Sequence, residues 1–179
     1  LVASGFAPGA GLKLVDTRSR AWGKWYAGGA QVRWDRQAFP HCPGPLDPAL
    51  FTARGLALRQ TGEGRWRLLA VNHGGREAIE AFDVVAGAGE PSLIWRGCLP
   101  MPEGQVANSV ASFADGTVLA TVLTRPGTTI GDFMLGRLTG AVWQWRPGDT
   151  AFSEVPGTQA PGNNGLEVDP DERHFYVVA

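Results

Sequence analysis

Three polar residues stand at matching places ahead of short apolar runs: Arg54, Asn108 and Asn164, spaced by 54 and 56 residues. The runs that follow them are Gly55 to Leu58, Ser109 to Ser112 and Gly165 to Val168. Asparagine offers a neutral, hard amide oxygen, and calcium takes about six to eight oxygens, mixing such groups with carboxylates, carbonyls and water. Asn108 and Asn164 are therefore candidate ligands of one calcium ion, with at least one carboxylate required from elsewhere. Asparagines at strand starts also cap backbone amides, and the spacing leaves both roles open. Arg54 cannot lose its proton at working pH, so in this column its chemistry is to bind a substrate carboxylate or polarise a carbonyl. His73 lies nineteen residues later, across a hairpin from Arg54. It has the chemistry of a general base beside a cation-activated water, or of a hydrogen-bonded rim residue. His41 and Cys42 are adjacent metal-ligating types in a Pro-rich loop, but no second His/Cys pair with ligand spacing accompanies them.

The elements that must position these residues repeat. Arg54 to Gly75 reads as two antiparallel strands, with Gly55 to Leu58, a Thr61-Gly-Glu-Gly64 turn and a longer run from Trp66 to Val71 that ends in Asn72-His73. Asn108 to Val122 has the same parts around Asp115-Gly116, and Asn164 to Val178 has them around Pro170 and Asp171. A hairpin unit recurring at this period predicts a radial array of four-stranded blades, a β-propeller. In that fold the residue before each innermost strand faces the mouth of the central channel. Leu1 to Phe6 and Leu12 to Asp16 read as strands, Ala78 to Val85 as a half-buried strand of period 2, and Ser92 to Trp95 as an outer strand. Ala141 to Trp145 and Ala151 to Val155 complete the second unit.

Between these lie looser stretches. Arg18 to Arg36 carries Trp22, Trp25, Tyr26 and Trp34, which read as packing of an outer strand or as a stacking surface. Phe39 to Pro48 holds four prolines and is a loop, and Gly97 to Gly104 reads as a Pro-rich connection. In Thr124 to Gly140, Ile130, Phe133, Met134, Arg137 and Leu138 fall at helical spacing, which predicts one short helix near Ile130 to Arg137, either a lid or a cap on the sheet edge. The chain opens partway through one unit and stops partway through another. An unclosed array exposes strand edges, so the expectation is a single domain over 1–179 that is part of a longer propeller, truncated at both ends.

Composition narrows the class. With 44% hydrophobic residues, 25 glycines and 13 prolines, the 179-residue chain suits one all-β domain with a sizeable core. A net charge of −1 without a basic stripe argues against nucleic acid as a partner, and no apolar run reaches the length of a membrane-spanning helix. Cys42 and Cys98 stand either as one disulfide or as two thiols, and two cysteines do not fix a compartment. No targeting segment is visible, and oligomeric state is not encoded in any recognisable motif.

The stretches LLAVNHG, NSVAS and NNGLEVDPDERHFYVVA resemble the paraoxonase/arylesterase branch of the calcium-dependent six-bladed propellers. That superfamily also holds gluconolactonase, regucalcin and strictosidine-synthase-like proteins. The resemblance runs from about Ala53 to the C-terminus and is most specific in the last stretch. It implies that Asn108 and Asn164 match calcium ligands. It also implies that a glutamate of the preceding blade and an Asp-Asn pair of the following one, both outside this chain, supply the rest. His73 matches the second histidine of the paraoxonase catalytic pair. Arg54 stands where those enzymes have the first, and Ser109 where they have an aspartate. The resemblance thus implies a calcium-dependent hydrolase of lactones or esters. The arginine favours a second reading, a calcium-stabilised propeller that binds without turnover. Chemistry of the strictosidine-synthase kind is disfavoured because no catalytic glutamate is recognisable.

Overall fold

The hairpin that carries Arg54 and leads into His73 forms one edge of the larger sheet. In the computed structural model, which describes residues 2–4, 11–26 and 31–179, the strands are β1 (Val2–Ser4), β2 (Leu12–Val15), β3 (Trp22–Lys24), β4 (Gln31–Val32), β5 (Ala53–Gly62), β6 (Arg65–Asn72), β7 (Ala78–Val85) and β8 (Ser92–Pro100). They continue as β9 (Ala107–Ser112), β10 (Val118–Val122), β11 (Ala141–Trp145), β12 (Ser153–Glu154), β13 (Leu166–Val168) and β14 (Phe175–Val177). One short helix, α1 (Ile130–Met134), and a 3-10 turn at Pro48–Leu50 are the helical elements among the described residues. The protein is all-β. The predicted strand at Leu1 to Phe6 is seen over Val2–Ser4, and its other residues lie outside the described ones, as does most of the turn expected at Ala7 to Gly11.

The chain divides into two compact units, Leu1–Leu99 and Pro100–Ala179. In the first, β1-β2-β3 form a meander and β4-β8-β7-β6-β5 a five-stranded sheet. In the second, β12-β11-β10-β9 form a four-stranded sheet and β13-β14 a hairpin. Pairing is antiparallel with one exception. β4 runs parallel to β8, Gln31 opposite Ile94 and Val32 opposite Trp95, where antiparallel strands throughout were expected. The chain between β4 and β8 passes through β5, β6 and β7 before β8 runs alongside β4 in the same direction.

Glycines make the tight turns where a positive φ is needed, Gly64 at +63° between β5 and β6 and Gly116 at +89° between β9 and β10. β6 is buried from Leu68 to Asn72 on both faces, as its continuous apolar run predicts. β7 departs from the half-buried expectation: Ala78 to Phe82 are all buried, including Glu80, whose charge is met inside the sheet. β8 runs on to Pro100, where a connection was expected. Cys98 is drawn into the core by a disulfide to Cys42, with Cα atoms 5.1 Å apart. Closing a loop of this length contributes about 4 kcal/mol by the chain-entropy estimate. It also fastens the Pro-rich loop to β8. Cys42 is thereby removed as a thiolate ligand, and the metal reading of His41 and Cys42 falls with it.

The aromatics of the loose region do not act as one set. Trp22 is 64% exposed with the Lys13 ammonium 4.6 Å from its ring, whereas Trp34 lies 6.1 Å from Trp95. Tyr26 is buried, edge-on to Phe51 and Phe82 with centroids 5.0 Å away in each case. Desolvation, and then the Glu80 carboxylate, push its phenol up to about 12. An unfolded tyrosine ionises near about 10, so between those values the folded state alone keeps the proton and stability falls as pH rises. Urea midpoints measured across that window should drop steeply in the wild type and less steeply in Tyr26→Phe. Equal slopes would show that Tyr26 ionises as it does in the unfolded chain.

α1 forms where helical spacing placed it. Thr129 and Asp132 make a reciprocal capping box, and the Thr129 hydroxyl holds the Asp132 carboxyl below its usual range. The expected apolar face is packed only at the half-buried Phe133. Phe133 lies where a Cβ on Gly162 would fall, while Ile130, Met134, Leu135 and Leu138 are exposed.

Candidate functional site

Asn108 sits in a β-bulge. Ala107 pairs with Val122 and Val110 with Ala120, so Asn108 and Ser109 together oppose Thr121. Thr121 is fully buried and fills the gap in the ladder, its Oγ1 accepting from Ser109 N at 3.0 Å and donating to the Asn164 carbonyl at 2.6 Å. Asn164 is fixed again by its own N–H, which donates to Val178 O at 2.7 Å. One threonine in an apolar strand therefore links the N–H of Ser109, the residue after Asn108, to the backbone of Asn164. Their side chains meet: Asn108 Nδ2 donates to Asn164 Oδ1 at 2.6 Å. Asn108 is buried and Asn164 exposed. Neither amide takes up a backbone N–H among the described residues, which is what a strand cap would do.

The column recurs in the first unit. Ala53 pairs with Asn72 and Leu56 with Ala70, so Arg54 and Gly55 together oppose Val71 in a bulge of the same placement. Arg54 is exposed there. Arg54 and Asn108 thus lie inside their strands, one residue past the start, whereas Asn164 precedes β13 as expected.

His73 is held by a turn that its neighbours organise. Asn72 is fully buried and uses its whole amide. Its Oδ1 accepts from Thr52 N and Gly74 N, both at 3.0 Å, and its Nδ2 donates to Gly74 O at 2.9 Å and Arg76 O at 3.2 Å. His73 N donates to Thr52 O at 3.0 Å. Gly74 permits this approach because a Cβ there would stand 1.5 Å from Leu50 O. The His73 ring is 16% exposed, and its Nδ1 lies 2.8 and 3.0 Å from the two carboxylate oxygens of Glu77. Its Nε2 is buried and has no hydrogen-bond partner among the described residues.

Behind this turn Arg76 forks onto Glu80, Nε to Oε1 at 2.7 Å and the second guanidinium nitrogen to Oε2 at 2.8 Å. Trp95 Nε1 donates to Oε2 at 2.9 Å, and Arg76 also donates to Gly44 O at 2.7 Å. This network joins β7, β8 and the disulfide-held loop under the histidine. Sequence reasoning missed Asn72 as the organiser of the turn and Glu77 as the partner of His73. The only sequence signal for Glu77 is a carboxylate four residues past a histidine, outside any helix.

A third group was also unforeseen. At the β13–β14 turn, Asp169, Asp171 and His174 bring ligand-type atoms within 4.8 Å of one another. Asp169 accepts from His174 N and contacts His174 Nδ1, each at 3.0 Å, and the former bond holds its carboxyl below the usual range. These bonds suffice to explain the turn.

A calcium ion fits the asparagine pair in donor type. The amide groups already abut, and a half-turn of the Asn108 terminal torsion exchanges its nitrogen for its oxygen at nearly unchanged shape. Two oxygens are at most about a third of calcium's set. No helix among the described residues is long and apolar enough to cross a membrane. No protein-family model matches the chain, and no curated protein matches it.

Proposed function

We propose that the chain is part of a six-bladed propeller of the paraoxonase and gluconolactonase kind, and that it hydrolyses lactones or esters with calcium held by Asn108 and Asn164. The observation that carries this reading is the side-chain bond between the two asparagines. Residues 56 apart in sequence place their amides together and leave the backbone caps unmade. The matching bulges at Arg54 and Asn108 support the repeat on which the propeller rests. Bound calcium supplies Lewis acidity, polarising the substrate carbonyl and stabilising the oxyanion. Of the protein's own groups, Thr121 in the second unit ties the peptide after Asn108 to the Asn164 carbonyl, while in the first His73 offers a ring nitrogen that can take a proton and Arg54 a fixed cation for a substrate oxygen.

A second reading has its own observation. Arg54 stands at the bulge position that Asn108 holds in the second unit, a permanent cation where the resemblance implies a catalytic histidine, as in a calcium-stabilised propeller that binds without turnover. Arg54→His separates the two. Initial rates on phenyl acetate and a simple lactone, with and without calcium, should rise at least several-fold in the variant of the full-length protein if the arginine is a relic. A calcium-dependent wild-type rate that the substitution lowers makes Arg54 a working substrate contact. No rate in either protein favours the binding module.

A further inference from the structure

The turn around His73 is built more elaborately than a rim residue requires. Asn72 spends four hydrogen bonds on it, Gly74 admits the Leu50 carbonyl, and Glu77 closes on the imidazole with both oxygens. A carboxylate only accepts, so the ring nitrogen facing it must carry the proton. In the neutral ring, that leaves the lone pair on Nε2. A buried ring nitrogen without a protein partner calls for a donor from another source, and a neutral imidazole with its lone pair inward is the state a general base must be in.

We propose that Glu77 is the positioning residue that fixes His73 as the Nδ1–H tautomer and makes Nε2 the proton acceptor of the hydrolytic step. This rests on the hydrolase reading above. It accounts for how His73 works with Arg54 in the place of a histidine partner: Glu77 supplies the orienting group instead. A water gives a proton to Nε2 while its oxygen forms the new bond to the acyl carbon. The bond from that carbon to the leaving oxygen then breaks, and the leaving oxygen takes the proton back from Nε2. Ester plus water becomes acid plus alcohol, or a lactone its hydroxy acid, with nothing oxidised or reduced. Glu77 holds the imidazolium between the two transfers and never needs to be protonated. The pattern is that of nucleophile, base and orienting carboxylate, with water as the nucleophile.

The test reads the tautomer directly. Full-length protein labelled with 15N-histidine is examined by long-range 1H–15N spectra, with the His73 signals assigned from His73→Gln. The wild type should show a protonated Nδ1 and an unprotonated Nε2. Glu77→Ala should move His73 to the other tautomer or a mixture, and Glu77→Asp should restore it in part. In parallel, kcat on a lactone should fall about 10- to 100-fold in Glu77→Ala with little change in KM, and calcium affinity should not move. A protonated Nε2 in the wild type, or a tautomer that ignores Glu77→Ala, overturns the proposal. The expected tautomer without hydrolysis by any ester or lactone upholds the positioning by Glu77 and overturns the hydrolase reading instead.

Discussion

Replacing Glu80 with alanine is expected to cost the first unit about 3 kcal/mol of stability, because it leaves the Arg76 guanidinium, whose side chain is 15% exposed, without its counter-charge. Both Glu80 oxygens are engaged by Arg76, one also by Trp95, and the side chain is 1% exposed. The Gly44 carbonyl, a neutral acceptor, cannot balance the charge of Arg76. Removing both charges together, as Arg76→Met with Glu80→Leu, should recover most of the loss, since well-packed apolar side chains replace buried ion pairs at little cost. Urea unfolding of the full-length protein followed by tryptophan fluorescence measures both. A Glu80→Ala loss below about 1 kcal/mol, the range of exposed pairs, would show that the network is a surface feature. Because it lies beneath the His73 turn, its loss should also blur the tautomer of His73.

The second large effect is expected at the asparagines. Asn108→Ala and Asn164→Ala should each lower calcium-dependent hydrolysis about 100- to 1000-fold, the scale seen when an oxyanion-stabilising group is removed. The double substitution should add little to either single one, since both residues serve the same ion. Rates of lactone opening at saturating calcium give the comparison. Multiplying effects would mean that the two asparagines act separately.

Local rules made much of this structure legible. The Asp115-Gly116 turn and the apolar runs on either side of it specify β9 and β10 without outside help, as Glu63-Gly64 does for β5 and β6. The period of about 55 residues brought Arg54, Asn108 and Asn164 into one column, and the bulges at Arg54 and Asn108 are where that period predicts a special position. Long-range facts were hidden. The parallel pairing of Gln31 with Ile94 depends on where an excursion of about 60 residues returns, and the Cys42–Cys98 bond on where the Pro-rich loop meets β8. Glu80 read as the polar face of an alternating strand because its partners, Arg76 and Trp95, are recognisable only once β7 and β8 are side by side. Asn72 read only as the polar neighbour of His73 at the end of the strand, and its amide is consumed by the backbone. Glu77 escaped notice because a four-residue interval brings side chains together in a helix, and here a glycine turn does the same work.

The central claim, that Asn108 and Asn164 hold calcium, is tested most directly by calorimetric titration of the full-length protein with calcium, comparing the wild type with Asn108→Ala and Asn108→Asp. Asn108 donates to Asn164 Oδ1 at 2.6 Å. Aspartate there would set two acceptors face to face, a repulsion that a bound cation relieves. Affinity should therefore fall at least tenfold in Asn108→Ala and rise above the wild type in Asn108→Asp, with calcium raising the melting temperature of Asn108→Asp the most. Affinity that is the same in all three proteins would contradict the account and leave the asparagine pair as a structural bond between β9 and the start of β13.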